Sequence, residues 1–309
     1  MMQTDRIRLR RWQDSDAEAL FKYASDPDVG PRAGWPPHKS VEESLEIIQG
    51  IFGGDTMWAV VLKETDEPIG CVGYLTPDMS NMPIGEHDCE VGYWIAKPYW
   101  NQGICSEAME LVIGYCINEK GYNTLWGTHF IDNPASGRVM EKCGFVEAGT
   151  LEGLENLEVG SDKPVRVMKL DVKSAALELA QRVFMEFEAP EYPEAGIEEF
   201  ERALSNPDYV EKLRFYVKLN EGKVVGMLAT RKEGSHIALF FVDKNYQGRG
   251  IGRSLFEKAW ADCPAPEMTV FSSPYAVNIY KALGFEATDV EQIDKGIRYS
   301  PMHRKIKIE

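Results

Sequence analysis

The stretch Tyr246-Gln247-Gly248-Arg249-Gly250-Ile251-Gly252 follows the apolar run Ile237 to Val242 and precedes a segment with helical spacing. Three glycines at alternate positions, between a strand and a helix, remove the side chains that would keep an anion away from the backbone. At the start of a helix, unpaired amides and the helix dipole favour a phosphate or pyrophosphate. The stretch therefore predicts an anion-binding loop.

A related but altered segment, Tyr99-Trp100-Asn101-Gln102-Gly103-Ile104-Cys105, stands earlier in the chain, again between a strand and a helix. The surrounding order of elements also occurs twice. Two helical stretches precede a β-hairpin, a third strand, the glycine-bearing loop, a helix, a further strand and a short helix that ends in Gly-Phe. These endings, Gly144-Phe145 and Gly284-Phe285, are typical of a helix C-cap. The chain is predicted to contain one fold twice.

The two predicted domains are residues 1–160 and 161–309, and a length of 309 residues suits two domains. The first is predicted to have helices at 17–23, 41–52 and 106–118 and strands at 58–62, 69–75, 90–95 and 125–130. The second is predicted to have helices at 175–187, 197–204 and 253–262 and strands at 215–219, 224–230, 237–242 and 268–272. The boundary is placed near residue 161, in the linker-like stretch 160–164. The strand 165–170 could close the first domain or open the second.

Charge and composition limit the functional classes. A formal net charge of -15 argues against nucleic acid as a partner and would attract a cationic substrate, although solubility alone also explains it. Six cysteines without CxxC spacing indicate a reducing compartment and no metal site. The chain begins without an apolar signal stretch and lacks a run of the ~20 apolar residues that a membrane span needs, so we expect a cytoplasmic protein.

The hairpin, third strand, Gln-Gly-Arg-Gly-Ile-Gly loop, helix and Gly-Phe ending resemble the GCN5-related N-acetyltransferase (GNAT) superfamily in both halves. The resemblance implies an α/β (α+β) fold of two tandem domains, each a mixed, mostly antiparallel sheet flanked by helices. It also implies an N-acetyltransferase that moves an acetyl group from acetyl-CoA directly to a primary amine, without a metal.

The resemblance further implies which residues bind acetyl-CoA. In this family the loop binds the pyrophosphate, and the strand before it lends main-chain groups to the pantetheine arm and the thioester carbonyl. The second-half residues at these positions are Phe240, Phe241, Val242, Gln247, Gly248, Arg249, Gly250, Ile251 and Gly252. The first-half residues at these positions are Tyr93, Trp94, Ile95, Gln102, Gly103, Ile104 and Cys105. Asn133 is a further residue for which the resemblance implies a contact with CoA.

Tyr280, four residues before Gly284, matches the family's usual general acid, which protonates the leaving CoA thiolate. A phenol of pKa ~10 is protonated at neutral pH and can donate to a thiolate whose conjugate acid has a pKa of ~8.5. The alternative is an aromatic residue at the core edge with a satisfied hydroxyl.

The first half resembles the RimJ/RimL-like branch, which modifies protein N-termini or related amines. The segment 133–145 carries most of this resemblance, which implies that Asn133 contacts CoA and that Ser136 lies near its sulfur, in a catalytic position. The half departs from the family pattern at three positions. Asn101 replaces the first loop glycine, Cys105 occupies a position where glycine or alanine is usual, and Met140 occupies the tyrosine position.

Two first-half residues have alternative interpretations. Glu90 is a candidate general base, directly or through water, because an attacking ammonium must first lose a proton. The alternative is a strand-edge carboxylate paired with a basic residue. Cys105 is interpreted as a small packing residue rather than a nucleophile, since the sequence offers no histidine partner.

The acceptor is expected to bind between the first two helices of each half. In the second half this stretch is 184–194, where carboxylates alternate with aromatics that suit a cationic amine. In the first half it is 29–38, which is turn-rich and less acidic. A small amine, an aminoglycoside-like molecule and a peptide or protein N-terminus remain possible acceptors, and the chain could be a monomer or a homodimer. An alternative hypothesis makes only the second domain catalytic, with the first a recognition or scaffold module.

Overall fold

A computed structural model describes residues 2–305 and divides them into two compact domains. The first comprises the residues up to Asp171 together with Glu221–Lys223, and the second comprises Val172–Asn220 and the described residues from Val224 onward. Each has its own sheet flanked by helices, so the duplication predicted from the sequence is confirmed. The mixed, mostly antiparallel character of both sheets is also confirmed.

The first domain contains four α-helices and seven strands among its described residues. The helices are α1 (Ala17–Ala24), α2 (Val41–Gln49), α3 (Ile104–Asn118) and α4 (Pro134–Lys142). The strands are β1 (Ile7–Arg10), β2 (Met57–Leu62), β3 (Pro68–Leu75), β4 (Asp88–Ile95), β5 (Thr124–Phe130), β6 (Val146–Leu151) and β7 (Val165–Asp171). Their order in the sheet is β1-β2-β3-β4-β5-β7-β6, and the pair of β4 with β5 is parallel.

The sheet of the first domain is covered on both faces where the apolar runs are longest. In β3 the residues from Pro68 to Tyr74 are buried without a break, and both α1 and α3 pack against this strand. A continuous apolar run, rather than an alternating one, is what a strand buried on both faces requires. Helix α2 begins where Ser40 accepts a hydrogen bond from the amide of Glu43 at 3.2 Å, which caps its first turn.

The second domain repeats this plan. Its helices are α5 (Val172–Phe187), α6 (Glu194–Ser205), α7 (Pro207–Val210), α8 (Ile251–Ala261) and α9 (Val277–Ala282). Its strands are β8 (Arg214–Asn220), β9 (Lys223–Arg231), β10 (His236–Val242), β11 (Glu267–Ser272), β12 (Glu286–Ala287), β13 (Gln292–Asp294) and β14 (Ile297–Lys305). The order is β12-β14-β11-β10-β9-β8, with β13 paired to β14, and β10 and β11 are parallel.

Both short helices of the Gly-Phe endings close as predicted. Gly144 and Gly284 adopt φ of +90° and +87°, and their amides donate to carbonyls three residues earlier at 3.0 Å and 2.9 Å. A glycine reaches this left-handed conformation without the steric penalty of a Cβ atom. Each ending returns the chain to the sheet, through β6 in the first domain and β12 in the second.

The predicted domain boundary near residue 161 is wrong. Strand β7 lies between β5 and β6, with Thr124 opposite Asp171 and Val146 opposite Lys169, so it closes the first sheet. The linker-like stretch after Gly160 is a turn before β7, in which the amide of Lys163 donates to the Gly160 carbonyl at 2.9 Å. A turn and a linker share the same glycine, serine and proline signal, which explains the error.

We predict that a fragment of residues 1–171 unfolds cooperatively in urea, whereas residues 1–160 do not. The shorter fragment loses β7 and leaves the edge of β5 and the whole of β6 without a hydrogen-bonding partner. Circular dichroism across a urea titration measures this, with the longer fragment as the matched control. A cooperative transition of equal midpoint in the shorter fragment would contradict the placement of β7.

Candidate active sites

In each domain the two parallel strands separate soon after they begin to pair. Strand β4 pairs with β5 at residues 88–90 only, and β10 pairs with β11 at His236 and Ile237 only. Beyond these positions the main-chain groups on that edge of β4 and β10 are not occupied by a neighbouring strand. A cleft of about 540 Å³ opens there in the first domain and one of about 590 Å³ in the second.

The loops that follow β4 and β10 have the same backbone conformation. Asn101 and Gly103 have φ of +59° and +77°, and Gly248 and Gly250 have φ of +73° and +80°. Asparagine is one of the few residues with a side chain that adopts this region readily. The replacement of the first loop glycine by Asn101 therefore leaves the path of the chain unchanged.

Each loop is fixed to the end of its strand by one side chain. The indole of Trp100 donates to the Ile95 carbonyl at 2.6 Å, and the amide of Gln247 donates to the Val242 carbonyl at 3.1 Å. The two residues occupy the same position before the first left-handed residue. Different side chains therefore make the equivalent hydrogen bond between loop and strand in the two domains.

The loop amides are available to a ligand. Within the described chain, the backbone N–H groups of residues 101–105 and 248–252 donate no hydrogen bond to another protein group. Gly103 and Gly250 are the N-caps of α3 and α8, so these amides meet the positive end of a helix. Consecutive unpaired amides at a helix start fit a pyrophosphate.

The first cleft brings together most of the residues predicted for that half. Those among its lining are Glu90, Tyr93, Trp94, Ile95, Gly103, Ile104, Cys105, Asn133 and Ser136. Gln102 is not part of the lining; its side-chain amide donates to the carbonyl of Pro98 at 3.0 Å. The sequence therefore located this cleft from strand, loop and helix start together.

Glu90 lies in the cleft with only 3% of its surface exposed. Its carboxylate accepts hydrogen bonds from the Ser80 hydroxyl and the backbone amide of Asn81, both at 2.8 Å. No basic residue in the described chain forms an ion pair with it, so the alternative of a paired strand-edge carboxylate is wrong. Neutral donors hold the carboxylate in place.

A phenol reaches the first cleft from β4 instead of α4. The hydroxyl of Tyr93 donates to the Ser136 carbonyl at 2.7 Å and lies 3.0 Å from the Ser136 hydroxyl. Burial raises the pKa of Tyr93 well above its ordinary value, so the phenol is neutral. Met140, at the position of the expected tyrosine, is 1% exposed and carries no proton to donate.

Two other first-half residues have structural contacts at the cleft wall. The side-chain amide of Asn133 donates to the Arg32 carbonyl at 3.2 Å, which joins the start of α4 to the 29–38 stretch. Desolvation raises the pKa of the Cys105 thiol far above its ordinary value, so a thiolate is strongly disfavoured. This agrees with Cys105 as a packing residue.

The second cleft contains fewer of the predicted residues. Phe240, Phe241 and Tyr280 line it, whereas Val242, Gln247, Gly248, Arg249, Gly250, Ile251 and Gly252 lie outside its lining. The loop nevertheless adjoins the cleft, because a Cβ atom at Gly252 would stand 3.3 Å from the ring of Phe240. A glycine at this position lets the start of α8 approach the cleft wall closely.

Tyr280 is buried between two aromatic rings. Its ring centroid lies 6.1 Å from that of Phe240 and 5.4 Å from that of Phe285. Burial, with a smaller contribution from the charge of Glu188, raises the pKa of Tyr280 well above its ordinary value. The phenol therefore keeps its proton at neutral pH, as a general acid must.

Glu188 is a site residue that the sequence interpretation did not assign as a catalyst. It follows α5 and lines the same cleft as Tyr280. Burial raises the pKa of Glu188 to about 7, because the charged form loses hydration there. In the sequence, Glu188 directly follows the aromatic residue that ends a predicted helix. Several other acidic residues in that stretch look equivalent to it without coordinates.

Comparisons with known proteins agree with this geometry. Residues 6–146 match the model of an acetyltransferase (GNAT) domain, and residues 188–306 match a second model of the same description. The uncharacterised N-acetyltransferase YoaA of Bacillus subtilis (strain 168) is 30% identical over 156 residues, which are 49% of this chain and 85% of that protein. The L-amino acid N-acetyltransferase AaaT of Escherichia coli (strain K12) is 27% identical over 152 residues, 47% of this chain and 85% of that protein.

Two further matches extend the comparison. The ribosomal-protein-serine acetyltransferase of Escherichia coli (strain K12) is 27% identical over 133 residues, 41% of this chain and 71% of that protein. The crystal structure of a GNAT-family acetyltransferase from Bacillus anthracis matches with 22% identity and a TM-score of 0.47, over 56% of this chain and 98% of that one.

The fold and the duplicated loop define an acyltransferase that takes its acyl group from a CoA thioester. The chain belongs to the GNAT family of acetyltransferases and contains two domains of that family. It is an acetyl-CoA-dependent N-acetyltransferase, as the sequence resemblance implied. Among the described residues no group of three or more histidine, cysteine or acidic side chains could hold a metal, and no helix is both long and apolar enough to cross a bilayer.

We predict that Gly248→Asn preserves acetyl-CoA binding by the second domain and that Gly248→Val weakens it about tenfold or more. Nothing lies within 4 Å of a Cβ atom at this position, so the left-handed φ of +73° is the relevant constraint. Isothermal titration calorimetry measures the dissociation constants, and the asparagine variant is the matched control because Asn101 already occupies this conformation. Equal binding by both variants would contradict the role given to the loop backbone.

Proposed function

We propose that both domains transfer the acetyl group of acetyl-CoA directly to a primary amine. The observation that carries this proposal is the repeated loop geometry, with unpaired amides at two helix starts beside two open strand edges. Such amides would hold the pyrophosphate, and the open edges of β4 and β10 would hold the pantetheine arm and the thioester carbonyl. Positioning and electrostatic stabilisation then supply most of the rate.

In the second domain we assign the base to Glu188 and the acid to Tyr280. A carboxylate with a pKa of about 7 is half ionised near neutral pH and can accept a proton from the attacking ammonium. The neutral phenol of Tyr280 can give its proton to the departing thiolate. Both side chains line the same cleft, and the charge of Glu188 acts on Tyr280.

In the first domain we assign the base to Glu90 and the acid to the pair formed by Ser136 and Tyr93. The Ser136 hydroxyl is 3.0 Å from the Tyr93 hydroxyl. If the phenol O–H turns from the Ser136 carbonyl to the serine oxygen, it can stabilise that oxygen while the serine proton passes to the CoA thiolate. This arrangement places the phenol on β4, where the second domain has Phe240. In the second domain the phenol comes from α9, where the first has Met140.

The acceptor is proposed at the level of a primary amine. Relatives named for L-amino acids and for a ribosomal protein act on chemically different amines, so they support the amine class and no narrower one. The cleft linings include Val29 and Arg32 in the first domain and Phe184, Glu188 and Tyr192 in the second. These residues lie in the two stretches expected to recognise the acceptor. The cytoplasmic location and the monomeric or dimeric state stay predictions.

Release of CoA thiol from acetyl-CoA tests the proposal most simply. The full chain is assayed with amino acids, peptides, polyamines and aminoglycosides, and acetylated products are identified by mass spectrometry. We expect at least one amine to be acetylated. Absence of turnover together with absence of acetyl-CoA binding would contradict the proposed function.

The alternative makes the first domain a non-catalytic recognition module, motivated by Met140 at the tyrosine position. We predict that Tyr280→Phe and Tyr93→Phe each remove a separate part of the turnover, by about 10²-fold or more for the affected domain. Acetyl-CoA binding should be retained, because only a hydroxyl is lost. Steady-state assays of both variants and the double variant measure this.

The matched controls for this pair are Tyr216→Phe and Tyr74→Phe, which alter buried tyrosines outside the clefts. Turnover unaffected by Tyr93→Phe, with Tyr280→Phe removing all activity, would favour the alternative. Turnover unaffected by Tyr280→Phe would remove Tyr280 from its proposed role.

The pKa of Glu188 predicts a pH dependence. A base must be ionised, so the turnover that depends on Tyr280 should rise as pH increases through about 7. We predict that Glu188→Gln abolishes this rise and lowers turnover by about 10²-fold. A pH–rate profile of kcat/KM measures it. The control is Glu186→Gln, since Glu186 is paired with Lys244 at 2.7 Å and lies outside the cleft lining.

The raised pKa of Glu188 also makes the stability of the protein depend on pH. Because the folded-state pKa is raised above the unfolded value, stability from this site is present at low pH and is lost as pH rises through about 7. The variant should lack that decline in Tm. A flat change in turnover at every pH, with only the Tm altered, would contradict the assignment of Glu188 as base.

A further inference from the structure

Arg231 is a cation in the second cleft without a counterion. It is the last residue of β9 and lines the cleft. In the described part of the chain it forms no ion pair, and its buried Nε has no hydrogen-bond partner. The other arginines of this cleft differ, since Arg202 is paired with Glu199 and Arg298 with Glu291.

A neutral histidine holds the Arg231 guanidinium. The Nη2 group of Arg231 lies 3.2 Å from Nε2 of His236, and Nδ1 of His236 lies 2.8 Å from the Thr269 hydroxyl. That hydroxyl is in turn placed to donate to the Ser235 carbonyl at 3.3 Å. The chain of bonds is satisfied when Nδ1 carries the proton and Nε2 accepts from Arg231.

The histidine does not neutralise this site. Burial, and the nearby charges of Arg231 and Lys232, lower the pKa of His236 to about 3, so the imidazole is uncharged at neutral pH. The imidazole therefore orients the guanidinium but contributes no negative charge. A cation with a buried donor and no counterion carries an uncompensated cost that an anionic ligand would remove.

We propose that the acceptor of the second domain carries an anionic group, a carboxylate or a phosphate, that binds to Arg231. The guanidinium presents its donors in a planar fork, which suits either oxyanion. This inference rests on the proposed acetyl transfer and specifies its substrate class. The amine end of such an acceptor meets Glu188, so the molecule is zwitterionic. This differs from the purely cationic acceptor that the net charge of the chain suggests.

The position of Arg231 guides the choice of probe acceptors. His236, which holds Arg231, and Phe240, which packs on Tyr280, are four residues apart along β10, a span of roughly 13 Å in an extended strand. The β-bulge between Ile237 and Leu239 shortens this somewhat. The probe acceptors therefore include an ω-amino acid, a phosphorylated amine and a short peptide, which differ in the separation of the amine from the anionic group.

The experiment compares amines that carry an anionic group with matched amines that lack it, using the full chain. The probes are 6-aminohexanoate and triglycine with their methyl esters, and O-phosphoethanolamine with ethanolamine for the phosphate arm. Wild type, Arg231→Gln, Arg231→Lys and the control Arg298→Gln are assayed for kcat/KM. Binding of the same probes in the presence of CoA is measured by calorimetry.

We expect the acid-to-ester ratio of kcat/KM to fall by roughly ten- to a hundredfold in Arg231→Gln. Arg231→Lys should retain part of the preference, because it keeps the charge and loses the fork. Arg298→Gln should leave the ratio unchanged, since that guanidinium is already paired. Whichever anionic probe shows the larger Arg231-dependent preference identifies the oxyanion.

Two outcomes would overturn the inference. One is an acid-to-ester ratio that is the same in wild type and Arg231→Gln while acetyl transfer persists. The other is calorimetric binding of neither anionic probe to the wild type. Loss of acetyl transfer to every amine, with Arg231-dependent binding of an anionic probe intact, would instead contradict the proposed function and leave the anion site standing.

Discussion

The parallel pairing of β4 with β5, and of β10 with β11, ends after two or three residue positions, and both clefts depend on this. A sheet that stayed paired would engage the main-chain groups that the clefts expose. The chain keeps the outer strands together by other means, because β7 and β14 pair with β5 and β11 on their far sides. Each sheet therefore tolerates a gap between its two parallel strands, at the position where a thioester can lie along a strand edge.

The two domains share the backbone conformation around this gap and differ in the side chains that line it. The left-handed residues occupy the same loop positions, and a side-chain donor ties each loop to its strand. The phenol, however, stands on β4 in one domain and on α9 in the other, opposite Met140 and Phe240. Under the proposed function, the common backbone geometry binds the shared cosubstrate in both domains, while the proposed proton donors and the acceptor-binding residues differ. The uncompensated Arg231 belongs to this second, variable group.

The sequence predicted the parts of the fold that have strong local signals. The glycine loops, the buried strands and the Gly-Phe caps were located within a few residues, because each depends on backbone constraints or on periodicity. Strand β14 and the place of β7 were missed or left open, since pairing between distant strands has no local signature. Glu188 and the Tyr93–Ser136 contact were not found for a similar reason. Their properties come from burial and from neighbours far apart in the chain, and Glu188 resembles the acidic residues beside it in sequence.

We propose that each domain holds one molecule of acetyl-CoA on its open strand edge and loop. Calorimetric titration of the full chain with acetyl-CoA tests it most directly. We expect two sites per chain, and we expect Gly248→Val to weaken one of them about tenfold or more while the other keeps its wild-type affinity. A stoichiometry of one that Gly248→Val leaves unchanged, or no binding at all, would contradict it.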